Sequence, residues 1–215
     1  MMYPAGNLFI NVEHGRLEAI LKEPPAQEQQ VRGAALVLHP HPLGGGTMHN
    51  KVVFRAASAL NDAGLVTLRI NFRGVGASTG THDEGQGEID DARASLDYLT
   101  ERYPSAPVTL AGFSFGSRVG MPLGIQDERI LNLISIGTPV DKYDFSFMKE
   151  CRKPILFVHG DRDEFGHVEH LRSFVQTLPT QAHARLEIIS NADHFFSGRL
   201  DEMKRIITDW IKEQI

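Results

Sequence analysis

Gly112-Phe113-Ser114-Phe115-Gly116 is the segment of this chain with the strongest chemical content. It follows an apolar run, Val108 to Ala111, and opens a stretch of helical patterning from Ser114 to Leu123. A serine placed on a sharp strand-to-helix turn, with a glycine two residues to either side, presents its hydroxyl clear of the backbone. The N–H of Phe115, at the start of that helix, then points to where negative charge develops when a carbonyl is attacked. The competing reading is a tight turn whose serine only caps the helix. A serine hydroxyl attacks when a base takes its proton and a carboxylate orients that base. His159-Gly160-Asp161-Arg162-Asp163-Glu164 closes the apolar run Pro154 to Val158 and offers three acids, Asp161, Asp163 and Glu164. Spacing does not choose among them. Asn191-Ala192-Asp193-His194-Phe195-Phe196 follows the last apolar run, and His194, the one histidine beyond it, is assigned as general base.

A second oxyanion donor is expected on His39-Pro40-His41-Pro42-Leu43-Gly44-Gly45-Gly46-Thr47. Pro40 and Pro42 have no N–H, which leaves His41 as the first choice and Leu43 as the alternative. A rival reading takes His39, His41 and His49 as metal ligands. No carboxylate lies nearby in sequence and prolines separate them, so metal is not expected here. His167, His170 and His183 fall before or within helical and strand patterns, where a solvated face explains them.

The elements that must position these groups alternate along the chain. Phe9 to Val12 and Leu17 to Leu21 flank His14-Gly15-Arg16 as an opening hairpin. Ala34 to Leu38 reads as a buried strand, and Val52, Val53, Ala56 and Leu60 as one helix face stopped at Gly64. Leu65 to Phe72 is the next strand, and Ile89, Ala92, Leu96, Leu99 and Tyr103 line a helix ended by Pro104. Strands over Ile130 to Ile136 and Arg185 to Ile189 follow, with helices near Val168 to Leu178 and around Met203, Ile207 and Trp210. Such alternation builds a mostly parallel sheet covered by helices on both faces, with the hairpin at one edge. Nothing marks a boundary, so residues 1–215 are read as a single domain.

Composition narrows the partners. Twenty-seven acidic residues against 22 Lys and Arg leave a net charge of −5, which argues against nucleic acid or an anionic membrane. Cys151 is the only cysteine, which excludes an internal disulfide and a cysteine-rich zinc site. Met1 to Leu21 lacks the pattern of a signal peptide, and no apolar run approaches the roughly 18 residues of a membrane span. A soluble, cytoplasmic protein is expected. Its oligomeric state is unknown from sequence.

The motifs HPHPLGGGTMHNK, NFRGVGASTG, GFSFGS, HGDRDEFG and NADHFF, in that order, resemble the α/β-hydrolase superfamily. The chain is most similar to its small, lidless serine hydrolases, related to the dienelactone-hydrolase-like group. The resemblance runs from about Phe9 to Ile215 and implies an α/β-hydrolase fold of about eight strands with no cap domain. It implies the order Ser114, acid, His194, and it carries the acid onto Asp163, with Asp161 structural. Arg73, Gly74 and Gly76 are implied to shape the site. Dienelactone hydrolases use a cysteine where Ser114 stands, so their lactone activity does not transfer. Only Gly137 to Lys153 separates Ile136 from Pro154, too short for a cap, so the site should be open and shallow.

The expected activity is a serine hydrolase acting on a small-molecule acyl substrate, a short ester or thioester, with Phe113 and Phe115 near the site. No cofactor or metal is required. A peptidase or amidase with the same triad is the alternative, and a non-catalytic hydrolase-fold binding protein is the reading from another class.

Overall fold

The computed structural model describes residues 7–24 and 31–215. The first six residues of the segment read as lacking a signal peptide lie outside the described residues. β1 (Asn7–Val12) and β2 (Gly15–Lys22) form the expected antiparallel hairpin. Six more strands follow: β3 (Gly33–Leu38), β4 (Leu65–Ile70), β5 (Val108–Phe113), β6 (Ile130–Ile136), β7 (Ile155–Gly160) and β8 (Arg185–Ile189). They make one eight-stranded sheet in the order β1-β2-β4-β3-β5-β6-β7-β8. β2 joins β4 antiparallel, and every pairing from β4 to β8 is parallel. This is the α/β-hydrolase fold, with the hairpin at one edge.

Helices α1 (Lys51–Asp62), α2 (Gln86–Arg102), α3 (Phe115–Gln126), α4 (Val168–Gln176) and α5 (Leu200–Lys212) cover the two faces. Side chains of a strand alternate between faces, so β3 sends Leu36 and Leu38 to one apolar layer and Ala35 and Val37 to the other. Ala92, Leu96 and Leu99 of α2, Val119 of α3 and Leu171 of α4 complete the first layer. Val53, Ala56 and Leu60 of α1, with Met203, Ile207 and Trp210 of α5, complete the second. The apolar spacings read along the sequence are the buried faces of those helices.

The order places β3 and β5 side by side although the chain leaves them in opposite directions, β3 towards β4 and β5 towards β6. Loops at their carboxyl ends therefore diverge and leave a crevice, the usual ligand position in an open α/β sheet. β4 ends at Ile70, two residues short of the expected Phe72, and the N–H of Phe72 goes to the ring of His39 at 3.0 Å instead. Between β6 and β7 the chain makes only turns and a short 3₁₀ helix, Ser146–Glu150, so no cap domain stands over the crevice. No helix of the described residues is long and apolar enough to cross a membrane.

Candidate active site

Ser114 occupies the link between β5 and α3 with φ 54° and ψ −116°, a conformation that costs a non-glycine residue on the order of 1–3 kcal/mol. The surroundings impose it. Its N–H donates to Ile136 O at 2.9 Å, and its carbonyl accepts from Ser117 N at 2.9 Å. The flanking glycines allow the crossing: a Cβ on Gly112 would lie 2.4 Å from the Gly116 backbone, and one on Gly116 2.5 Å from Leu38 O. The Ser114 side chain makes no capping hydrogen bond to its helix, which rejects the capping-serine reading. It lines a cavity instead. The N–H groups of Phe115 and Gly116 belong to the first turn of α3, where no intrahelical acceptor exists.

His194 sits on the loop between β8 and α5, buried to 3% exposure, at the same cavity. Its Nδ1 lies 2.7 Å from Asp163 Oδ2. A carboxylate can only accept, so Nδ1 carries the hydrogen, and in the neutral imidazole Nε2 is the nitrogen with the lone pair. The other oxygen, Asp163 Oδ1, accepts from Phe165 N at 2.8 Å, which fixes the plane of the carboxylate. Of the three acids open in the sequence, Asp163 alone is buried and bonded to the His194 ring; Glu164 reaches only the His194 backbone N–H, at 3.4 Å, and Asp161 is exposed. His159 donates from Nε2 to Gly166 O at 2.6 Å and lies 3.7 Å from Asp163, closing the loop around the acid. Burial lowers the His159 pKa, so that ring is neutral beside the carboxylate.

The loop after β3 forms the facing wall. Pro42–Gly44 is a 3₁₀ turn in which Leu43 N donates to His41 Nδ1 at 3.2 Å. The Leu43 amide is thus engaged by its neighbour, which favours His41 over Leu43 as the second donor. The loop is tied down from behind: Met48 N donates to Asn71 Oδ1 at 2.8 Å, and Met48 O accepts from the buried Arg69 at 2.8 Å. His41 packs against Phe115 and His82, with ring centroids 4.8 and 4.9 Å away. Burial, with His82 and Lys142 nearby, lowers the His41 pKa. His39 is no metal ligand here, because Nδ1 donates to Pro40 O at 2.6 Å and Nε2 accepts from Phe72 N. Burial pushes its pKa down to about 4.

The cavity measures about 440 Å³ and is open to solvent. Two groups expected near the site lie behind its walls. Phe113 and Phe115 are 1% and 2% exposed and lie beneath it, because the strand end and first helical turn that hold Ser114 point their side chains into the layers. The aromatic rings that do line it are Tyr143, Phe165 and Phe195, with Lys142 at the rim between Tyr143 and Phe165. Arg73, Gly74 and Gly76 do not wall the cavity either. The Arg73 guanidinium pairs with buried Asp91 at 2.8 Å, and a Cβ on Gly76 would lie 2.4 Å from Glu18, so this loop braces the site from one layer away. Only the aromatic character of Phe165 and Phe195, close in sequence to Asp163 and His194, hinted at the true lining.

The comparisons agree with this architecture. Residues 33–210 match the model of an alpha/beta hydrolase domain family. The chain is 39% identical over 211 residues to the uncharacterized protein RP471 of Rickettsia prowazekii, covering 95% of this chain and 87% of that one. An alpha-beta serine hydrolase homologue from Coxiella burnetii superposes with a TM-score of 0.88 at 34% identity, covering 97% of this chain and 98% of the other. XC6422 from Xanthomonas campestris, a serine hydrolase without a lid, gives 0.90 at 31% identity, covering 100% and 98%. With its mostly parallel sheet, its serine turn and its uncapped crevice, the chain belongs to the alpha/beta hydrolase domain family.

Proposed function

We propose that this protein is a serine hydrolase that cleaves a small ester or thioester through an acyl-enzyme. The reading rests on one observation above the others: a histidine bonded to a buried carboxylate at 2.7 Å shares an open cavity with a strained, uncapped serine. In this reading Ser114 Oγ attacks the carbonyl carbon while His194 Nε2 takes its proton, and the carbonyl electron pair becomes an oxyanion. Asp163 accepts from Nδ1–H throughout, holding the tautomer and stabilising the imidazolium. The N–H groups of Phe115 and His41 receive the oxyanion, each donor contributing about 2.7–4 kcal/mol to the transition state. Collapse breaks the bond to the alcohol or thiol, which leaves with the proton from His194. Water then repeats the sequence on the acyl-serine. The names given to the Coxiella and Xanthomonas proteins support the chemistry.

An open cavity of about 440 Å³ lined by Tyr143, Phe165 and Phe195 favours short or aromatic acyl groups over long chains. Covalent labelling with a fluorophosphonate, the adduct located by mass spectrometry, tests the reading. Modification at Ser114 is expected, and it should vanish in both Ser114→Ala and His194→Ala. A folded wild-type protein that stays unlabelled would instead favour the non-catalytic binding protein. Esters, thioesters and anilides of matched acyl groups then separate esterase from amidase.

A further inference from the structure

A second histidine–carboxylate group lies outside the cavity. Asp141 sits on the turn after β6, where Lys142 N and Tyr143 N both donate to Pro139 O at 3.0 and 3.1 Å. His167 is the residue that starts α4, and His170 lies one turn further along that helix. Asp141 Oδ2 is 2.7 Å from His167 Nδ1, and Asp141 Oδ1 is 2.6 Å from His170 Nδ1. The three ligand-type atoms lie within 4.8 Å of one another, and the side chains are 29%, 71% and 66% exposed. It is the one such group of three among the described residues.

Two imidazoles and a carboxylate suit the first-row divalent ions that prefer nitrogen, zinc among them. Zinc bonds of about 2.0–2.1 Å in a tetrahedron put ligand atoms roughly 3.3 Å apart. The two nitrogen–oxygen contacts are about 0.6–0.7 Å shorter than that while the three atoms together spread over as much as 4.8 Å, so side-chain rotations must even out the spacings when an ion enters. The frame itself is already in place, because the turn and the helix start are held by backbone hydrogen bonds and Asp141 also accepts from His167 N at 2.7 Å.

We propose that Asp141, His167 and His170 form a zinc-type divalent metal site, with water completing the coordination. The ion ties the segment after β6, which supplies Lys142 and Tyr143 to the cavity, to the loop after β7, which carries Asp163 and Phe165. This site is independent of the hydrolytic reading.

The test is a titration of the full-length, chelator-treated protein with Co²⁺, followed by its visible absorption, and with Zn²⁺ by calorimetry. One equivalent should bind. Affinity should fall at least about tenfold in His170→Ala and in Asp141→Asn, as expected when a donor is removed, and stay unchanged in His183→Ala. Zinc should also raise the melting temperature of the wild type and of His183→Ala but not of the other two. These positions are exposed, so the variants fold, and circular dichroism verifies it. No binding by the wild type at micromolar metal, or binding that survives both ligand substitutions, overturns the site.

Discussion

Two histidine–carboxylate groups in this protein have contacts of nearly the same length and opposite surroundings. Asp163 and His194 meet at 2.7 Å with side-chain exposures of 0% and 3%, whereas Asp141 meets His167 and His170 at 2.7 and 2.6 Å with the imidazoles 71% and 66% exposed. Distance alone does not separate them. In the dry pair, water cannot replace either partner, so a single tautomer and ring orientation are enforced. In the wet group, water competes for every donor and salt screens the charges, so the contacts can be exchanged for something that binds better. Burial turns one contact into a fixed orientation. Exposure leaves the other available to a ligand.

The largest loss is expected on removing the buried histidine or the serine that shares its cavity. Ser114→Ala and His194→Ala should each lower kcat by on the order of 10⁶, and the double variant should be no slower, because groups that act as one unit lose their effect together. Steady-state rates on an aryl ester measure this; additive losses would mean the two side chains do not cooperate. Next in size is Asp163→Asn, which keeps the shape but offers an N–H where the imidazole needs an acceptor. A drop of about 10⁴ in kcat with little change in KM is expected. An amide that works nearly as well as the acid would remove the orienting role.

A fourth histidine sharpens the role of burial. His39 is buried with one ring nitrogen donating to Pro40 O and the other accepting from Phe72 N. Charging it would aim a second N–H at the Phe72 amide, consistent with its pKa being lowered from 6.5 to about 4 by burial. Between those values the unfolded chain binds the proton that the folded chain refuses, so stability falls as pH drops from 6.5 towards 4. The loss at the acid end is on the order of 3 kcal/mol, present in full below the folded pKa and absent above the unfolded one. Urea titrations at intervals across that range should show the slope, and a flat profile over this window would contradict it. The smallest effect belongs to the exposed group. Without metal, Asp141→Asn should cost at most about 1 kcal/mol by the same denaturation measurement, since water replaces what is lost. A larger cost would mean that this contact behaves like the buried one.

The sheet was legible in the sequence because strand and helix periods are local. β6 and β8 have the bounds that the apolar runs indicated, and α5 buries Met203, Ile207 and Trp210 at the spacing that singled them out. The serine turn was legible because its glycines are needed within two residues of Ser114. The acid was not. Asp161, Asp163 and Glu164 fall within four consecutive positions, and the path of the loop after β7, pinned by His159 to Gly166, decides which one turns inward. Likewise, whether Leu43 or His41 offers its amide depends on a 3₁₀ turn that the glycines permit but do not specify.

What the sequence determined by itself was the set of elements and the serine on its turn. These are written in spacings of a few residues, and short-range sterics and hydrophobic periodicity suffice to read them. The tertiary structure decided which carboxylate meets which histidine. It also placed Tyr143, Phe165 and Phe195 around the cavity while Phe113 and Phe115 went beneath it. It brought Asp141 to two histidines that had read only as a solvated face. Those choices depend on residues tens of positions apart converging where β3 and β5 part, and burial at that meeting point, which no local pattern encodes, sets what each side chain can do.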